Sequence, residues 1–381
     1  MKNLGHYLFA LIYSIYKILP VKKNKVLCIM THDDGEGSNV SIVAKALKAL
    51  SNNYSISYIT KSDVENLKNI KQIGTIIKFF FKSTFDLASS EIVLLDNTFI
   101  PFAYLKSRNK QKIIQLWHGT GTIKKFGQDY NQGKLKKIEK KANKNITHLI
   151  VNSTSMKHLY AQAFAVPIER VYDIGVPKTD ELLNRIIDIK RSGINKDRLY
   201  IFEKYNIPLE NKLILYAPTF RDADINGPEI YKWIKPIVDN LPSEYHFALR
   251  LHPFVAKSYN ENDISDKVLQ MSMERDLNTL LMAADILITD YSSIVFDYSV
   301  TDKPMVFYPY DLEEFSDQGR GFYNYYNSYV PGPIAYTGED IADIIKDENF
   351  DLYKTFTFKE DSFNYLDGMA TNRLINLIQS Q

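Results

Sequence analysis

The sequence predicts an α/β protein made of two doubly wound parallel-sheet domains facing a cleft. Three observations carry that expectation. Short apolar runs alternate with helical stretches from Lys25 to about Asp173, and again from Lys212 onward. Alternation of that kind implies parallel sheets covered on both faces. The charged, helical stretch Asp180–Tyr205 separates the two halves. Several runs then stop at a polar group and a loop, at the carboxyl edge where open α/β sheets place their ligands. A chain of 381 residues is also long enough for two cores.

The elements follow in order. Residues 1–24 hold the apolar, aromatic run Leu4–Leu19, ended by Pro20 and followed by Lys22, Lys23 and Lys25. It is shorter than the roughly 20 apolar residues a spanning helix needs. It carries His6 and Lys17 and lacks a small-residue cleavage site, which argues against a signal peptide. An apolar helix flanked by lysines reads as an in-plane helix on an anionic leaflet, the favoured reading, with a helix packed on its own domain as the alternative. Residues 25–180 form the first α/β domain. Its expected strands are Val26–Thr31, Ser55–Thr60, Glu91–Leu95, Lys112–Leu116 and His148–Asn152, and its expected helices are Ser41–Leu50, Lys134–Asn143 and Ser155–Phe164. Residues 181–210 read as a linker. Residues 211–355 form the second domain, with strands expected at Lys212–Ala217, His246–Leu251, Ile286–Thr289 and Met305–Tyr308. Residues 356–381 form a helix packing back across the linker.

Composition excludes several classes. A net charge of +2 gives no broad nucleic-acid surface. The single cysteine, Cys28, sits in the apolar run Val26-Leu27-Cys28-Ile29-Met30 and reads as inert strand core. The loop His32-Asp33-Asp34-Gly35-Glu36-Gly37-Ser38-Asn39 invites a metal reading, but no partner spacing supports it. Ser38 or Asn39 is better used as a helix cap. No metal and no cofactor are expected.

The stretch that organises the chain is Gln115-Leu116-Trp117-His118-Gly119-Thr120-Gly121-Thr122-Ile123-Lys124-Lys125-Phe126-Gly127. A strand stops at a histidine and enters a Gly/Thr loop, which lets backbone approach a ligand closely. Lys124 and Lys125 add positive charge. In the second half, Pro218-Thr219-Phe220-Arg221-Asp222, Arg250-Leu251-His252-Pro253 and Asp290-Tyr291-Ser292-Ser293 each follow a strand. Ser292 and Ser293 open a helix whose free N–H groups suit a phosphate oxygen, and Asp297 lies one turn in, placed for a ribose or polyol hydroxyl. Arg250 and His252 are the cations for a diphosphate leaving group. Taken singly, Ser292 also reads as a helix cap, Asp290 as a cap or ion-pair partner, and His252 equally as a satisfied structural residue.

These segments, together with Lys303-Pro304-Met305-Val306-Phe307-Tyr308-Pro309-Tyr310-Asp311-Leu312, Arg320-Gly321-Phe322-Tyr323 and Pro331-Gly332-Pro333, resemble the CDP-glycerol glycerophosphotransferase family of wall teichoic acid synthesis, over about residues 115–335 and in the family's order. The resemblance implies a GT-B-like, two-domain architecture. It implies transfer of glycerol 3-phosphate from CDP-glycerol to an undecaprenyl-diphosphate-linked GlcNAc–ManNAc acceptor, with release of CMP. His118 would be the general base, poised near neutral pH. Gly119, Thr120, Gly121, Thr122 and Lys178 would line the donor and acceptor side. Pro218, Thr219, Arg250, Leu251, His252, Ser292, Ser293 and Asp297 would hold CDP-glycerol. The resemblance also implies a peripheral protein on the cytoplasmic face of the cell membrane, and it leaves homo-oligomer formation open.

The chain departs from the family's polymerases at Gly121 and Thr122, where they usually carry proline and leucine. It departs again at Phe220, where they favour tryptophan, and at Lys178, often arginine there. In these features, and in its short length, it looks more like a priming enzyme. Arg320-Gly321-Phe322-Tyr323 and Pro331-Gly332-Pro333 look like the polymerase side. A poly(glycerol phosphate) polymerase or a capsule polyol-phosphate transferase is the alternative within the family. Outside it stand a nucleotide-sugar glycosyltransferase and a non-catalytic nucleotide-binding membrane scaffold. Intact His118, His252, Ser292 and Asp297 argue against the scaffold.

Overall fold

The computed structural model describes residues 2–67, 73–221, 230–251, 253–256 and 267–380. The chain divides into two units. The first comprises Met1–Thr120, Phe126–Asp180 and Phe363–Gln381; the second comprises Gly121–Lys125 and Glu181–Ser362.

The first unit is built on a six-stranded sheet of β1 (Lys22–Met30), β2 (Ser55–Thr60), β3 (Ser90–Leu95), β4 (Lys112–Gln115), β5 (His148–Ile150) and β6 (Val171–Tyr172), in the order β2-β1-β3-β4-β5-β6. Every pairing is parallel. Parallel strands are buried on both faces, so they read as continuous apolar runs. Val26 through Met30 is such a run, and all of it is buried. One face packs Val26, Cys28, Leu94 and Ile114 against the helix Asn39–Leu50 and against Leu374, Ile375 and Ile378 of the helix Ala370–Gln379. Asp180 anchors that last helix by accepting from the backbone N–H groups of Ala370 (2.8 Å) and Thr371 (2.7 Å). Burial pushes the Cys28 thiol up to about 12, so it is inert packing. Ser38 caps the helix Asn39–Leu50, accepting from Ser41 N–H.

The other face packs Leu27, Ile29, Val93 and Ile113 against Phe9 and Tyr13 of the N-terminal helix Lys2–Tyr16. That helix therefore belongs to the fold, yet Leu4, Tyr7, Leu8, Leu11 and Ile15 remain exposed on it. Ile77 and Phe81 of the helix Ile73–Ser89, which packs beside it, are exposed too. Among the described residues no helix is long and apolar enough to cross a membrane.

The second unit carries a five-stranded parallel sheet of β7 (Lys212–Tyr216), β8 (Tyr245–Leu249), β9 (Val268–Gln270), β10 (Ile286–Thr289) and β11 (Met305–Phe307), in the order β11-β10-β7-β8-β9. Its core unites Ile214, Tyr216, Phe247, Leu249, Ile286, Ile288 and Val306 with Ile234 and Ile237 of the helix Ile230–Asn240 and Ile341 and Ile345 of the helix Gly338–Lys346. The stretch expected as a linker carries the helices Pro177–Ser192 and Lys196–Lys204. From Glu181 on it counts with the second unit. Arg185 bridges Asp197 and Asp276, and Arg198 pairs with Asp285 at 2.8 Å.

Both sheets reverse their winding order once. In the first, successive connections leave β1 toward β2 on one side and toward β3 on the other; in the second, β7 is flanked by β8 and β10. The crevice beyond the carboxyl ends at such a switch point is where doubly wound sheets bind ligands.

Candidate active site

At the first unit's switch point, β1 leads into Thr31 and His32, β3 into Asp96, and the neighbouring β4 toward His118. Asp96 is buried, and its carboxylate accepts from the backbone N–H groups of Thr31 (3.0 Å), His32 (2.9 Å) and Asp33 (2.9 Å). Burial pushes its carboxyl up, against the pull of those three donors. The Asp96 carbonyl oxygen faces His118 Nδ1 at 3.1 Å. A carbonyl can only accept, so Nδ1 carries the proton and Nε2 keeps the lone pair.

The turn that presents His118 is strained. Trp117 has φ +56°, a left-handed conformation that a bulky residue rarely adopts. Several contacts hold it there. Trp117 N–H donates to Gln115 Oε1 (2.9 Å), and Asn39 Nδ2 donates to the carbonyls of Leu116 (3.3 Å) and Trp117 (3.1 Å). The indole stacks on Phe126 and meets Phe164 edge-on. Gly119 and Thr120 are buried, and the Thr120 carbonyl accepts from Asn152 Nδ2 at 2.6 Å. Asn152 Oδ1 in turn accepts from Val176 N–H, and Asn39 Oδ1 accepts from the backbone N–H of Lys178 at 2.8 Å. Two buried asparagines thus hold the loop after β4 and the segment around Lys178 in one arrangement.

In the second unit, the loops after β7 and β10 adjoin at the switch point. Asp290 is fully buried; its Oδ1 accepts from the N–H groups of Thr219 (2.8 Å) and Tyr291 (2.5 Å), and its Oδ2 lies 2.9 Å from Arg221. Arg221 forks onto Asp311, with Nε to Oδ2 at 2.5 Å and Nη2 to Oδ1 at 2.7 Å. Its Nη1 donates to the Thr219 carbonyl at 2.7 Å. Burial alone would lower the Arg221 guanidinium, but Asp311 and Asp290 raise it above its ordinary value. Burial alone would raise Asp311, but Arg221 holds it below the usual carboxylate range. Tyr291 OH donates to Asp311 Oδ1 (3.0 Å), and Tyr326 OH donates to the Asp290 carbonyl (3.0 Å). Thr219 and Tyr291 are thereby held on the one Asp290 carboxylate oxygen.

Ser292 Oγ accepts from Ile294 N–H at 3.3 Å, and Ser293 precedes the helix Ile294–Ser299 without a side-chain cap bond. Asp297 is buried within that helix. Arg250 Nη1 is taken up by backbone carbonyls, those of Ser272 and Glu274 at 2.6 Å each and Met271 at 3.4 Å, so this nitrogen shapes its own loop. Leu251 is buried, with its N–H on Ser272 Oγ. His252 lies outside the described residues.

The segment Gly121–Lys125 is pinned within the second unit. Lys125 N–H donates to the Gly321 carbonyl (3.0 Å) and Tyr323 N–H to that of Ile123 (3.1 Å). Thr122 Oγ1 turns back onto the Lys124 carbonyl at 2.6 Å. Gly121 packs under the Phe296 ring, where an added Cβ would lie 2.5 Å from a ring carbon. Glycine at this position is therefore a steric requirement. Lys124 Nζ reaches Thr219 Oγ1 at 3.3 Å, and burial lowers it to about 8, against the attraction of Asp290. The sequence reading had noted Lys124 only as charge. Asn39, expected only as an alternative helix cap to Ser38, instead ties Leu116 and Trp117 to Lys178, and the work of Asp96, Asn152 and Asp311 is visible only once the strand order is known.

A model of the family described as CDP-glycerol:poly(glycerophosphate) glycerophosphotransferase matches residues 11–380, and the chain belongs to that family. It is 32% identical over 389 residues to the teichoic acid poly(ribitol-phosphate) polymerase of Bacillus spizizenii, covering 99% of this chain and 60% of that protein. The chain thus spans well under two thirds of that relative. It is 32% identical to the teichoic acid glycerol-phosphate primase of Bacillus subtilis over 78% of this chain and 76% of the primase. The fold is similar to that of the wall teichoic acid polymerase TagF, with a TM-score of 0.78 at 21% identity over 98% of this chain and 93% of that one.

Proposed function

We propose that the chain transfers sn-glycerol 3-phosphate from CDP-glycerol to a lipid-linked saccharide, an undecaprenyl-diphosphate GlcNAc–ManNAc, and releases CMP. The observation that carries this reading is the His118 tautomer. Nδ1 is engaged by the Asp96 carbonyl, so Nε2 is the basic nitrogen. In the proposed step, an acceptor hydroxyl oxygen bonds to the phosphorus that bears glycerol. The bond from that phosphorus to the bridging oxygen breaks, and CMP leaves with the electron pair. The hydroxyl proton passes to Nε2. The barrier falls mainly through positioning and charge stabilisation, as in other phosphoryl transfers. On this reading Thr219, Ser292, Ser293 and Lys124 hold the diphosphate, and Asp297 and Pro218 border the donor.

The exposed apolar face of the N-terminal helix, beside Ile77 and Phe81 and followed by Lys22 and Lys23, supports a peripheral seat on an anionic membrane surface, on the cytoplasmic face where a nucleotide donor is supplied. Among members of the family, we favour single addition over polymerisation. A second reading replaces glycerol phosphate with ribitol phosphate. The match to a poly(ribitol-phosphate) polymerase along nearly the whole chain favours it. Purified protein supplied with CDP-glycerol or CDP-ribitol and a defined lipid-linked disaccharide decides the matter. The proposal expects CMP release with CDP-glycerol and a product one glycerol phosphate longer. CMP release with CDP-ribitol alone moves the assignment to the second reading. A ladder of products makes the chain a polymerase, and turnover only with a nucleotide sugar overturns the donor class.

A further inference from the structure

We propose that His32 is a positioning residue for His118, holding the imidazole in its reactive orientation by ring stacking; this rests on the reading of His118 as the base. The two imidazole rings lie 3.6 Å apart between centroids with planes only 20° from parallel. On its own chain neighbour's side, His118 meets the Trp117 indole at 3.9 Å and 33°. At such separations each face has room for one ring, so His118 is sandwiched between an indole and a second imidazole. A sandwiched ring cannot swing about its Cβ–Cγ bond without displacing a neighbour.

Asp96 links the two histidines by separate groups. Its carboxylate gathers the N–H groups of residues 31–33 and so sets the position of His32. Its carbonyl meets His118 Nδ1 and so sets which edge of the ring points outward. Stacking fixes the plane and the hydrogen bond fixes rotation within it. Together they define where Nε2 lies. Productive proton transfer demands that definition, because small misplacements of a reacting group are costly. The backbone bonds of the 31–33 loop do not involve the His32 side chain, so replacing that side chain leaves the loop in place.

The test compares His32→Ala and His32→Phe with the parent chain in the CMP-release assay, with donor binding measured separately by calorimetry. His32→Ala is expected to lower kcat by about 10- to 100-fold with the donor KM and Kd little changed. His32→Phe keeps a flat ring on the stack and is expected to restore most of that loss. Unchanged kcat in His32→Ala overturns the proposal, as does a His32→Phe variant as slow as His32→Ala. His118→Ala in the same assay separates the two levels. If it is dead while His32→Ala is fully active, the positioning role alone fails. If it retains full turnover, the base reading fails and this inference with it.

Discussion

The Arg221 fork ties the loop after β7 to Asp290 and Asp311, and its removal has a calculable consequence. Arg221 Nε and Nη2 bind both oxygens of Asp311, Nη1 binds the Thr219 carbonyl, and the side chain lies against Asp290 Oδ2. Both carboxylates lose their cation in Arg221→Met. Asp290 retains the N–H groups of Thr219 and Tyr291, and Asp311 retains Tyr291 OH. Breaking a buried ion pair from one side costs about 3–5 kcal/mol. For a unit of this size that lowers the melting temperature by roughly 6–20 °C. Arg221→Lys keeps the charge but cannot reproduce the fork, so about 2 kcal/mol is lost. The folded-state carboxyl of Asp311 is held low by Arg221. Its contribution is therefore fully present above the unfolded value near 4 and fades as pH falls through the folded one. The gap between the parent and Arg221→Met should narrow below about pH 4. Thermal unfolding followed at neutral and acid pH reads all three effects. A lysine variant as stable as the parent would refute the fork, and a methionine penalty that persists undiminished at low pH would refute the electrostatic origin.

Three further outcomes follow from other parts of the molecule. Gly121→Ala drives a methyl to 2.5 Å from the fully buried Phe296 ring, so it should cost about 1–3 kcal/mol, visible as a lower denaturation midpoint. Lys124 is held near 8, below its unfolded value, so the parent's stability should rise as pH climbs from about 8 toward 10.5; Lys124→Met should abolish that rise in pH-dependent melting while weakening donor binding at neutral pH. Leu8→Asp with Leu11→Asp places charge on the exposed face of the N-terminal helix and should reduce sedimentation with anionic vesicles without changing donor binding; unaltered sedimentation would remove this face from the membrane reading.

Much of this architecture is legible from residue order because buried parallel strands announce themselves as unbroken apolar runs. β1, β3, β4, β5, β7, β8, β10 and β11 fall on such runs, with ends shifted by a few residues, whereas β2 is a half-exposed edge strand legible from its alternation Ser55-Ile56-Ser57-Tyr58-Ile59-Thr60. β6, Val171–Tyr172, is too short to make a run, and β9, Val268–Gln270, is only half-buried at a sheet edge. The helix Ile73–Ser89 is masked by its Phe79-Phe80-Phe81 run, which blurs helical periodicity. His118 can be picked out because a strand ends there. His32 cannot, because its stacking depends on β3 lying between β1 and β4, which no local pattern reveals. The Arg221–Asp311 fork spans 90 residues and is equally invisible. Arg250 shows what a local pattern leaves out: a cation after a strand reads as a phosphate ligand, and the structure adds that one of its terminal nitrogens serves backbone carbonyls.

The central claim is that His118 Nε2 takes the acceptor's proton while the second unit holds the donor. Single-turnover CMP release by His118→Ala, measured beside CDP-glycerol binding, tests it most directly. The account predicts a loss of about 10²–10⁴-fold in the chemical step with donor affinity preserved. Full turnover in that variant, or loss of donor binding in step with loss of rate, would contradict it.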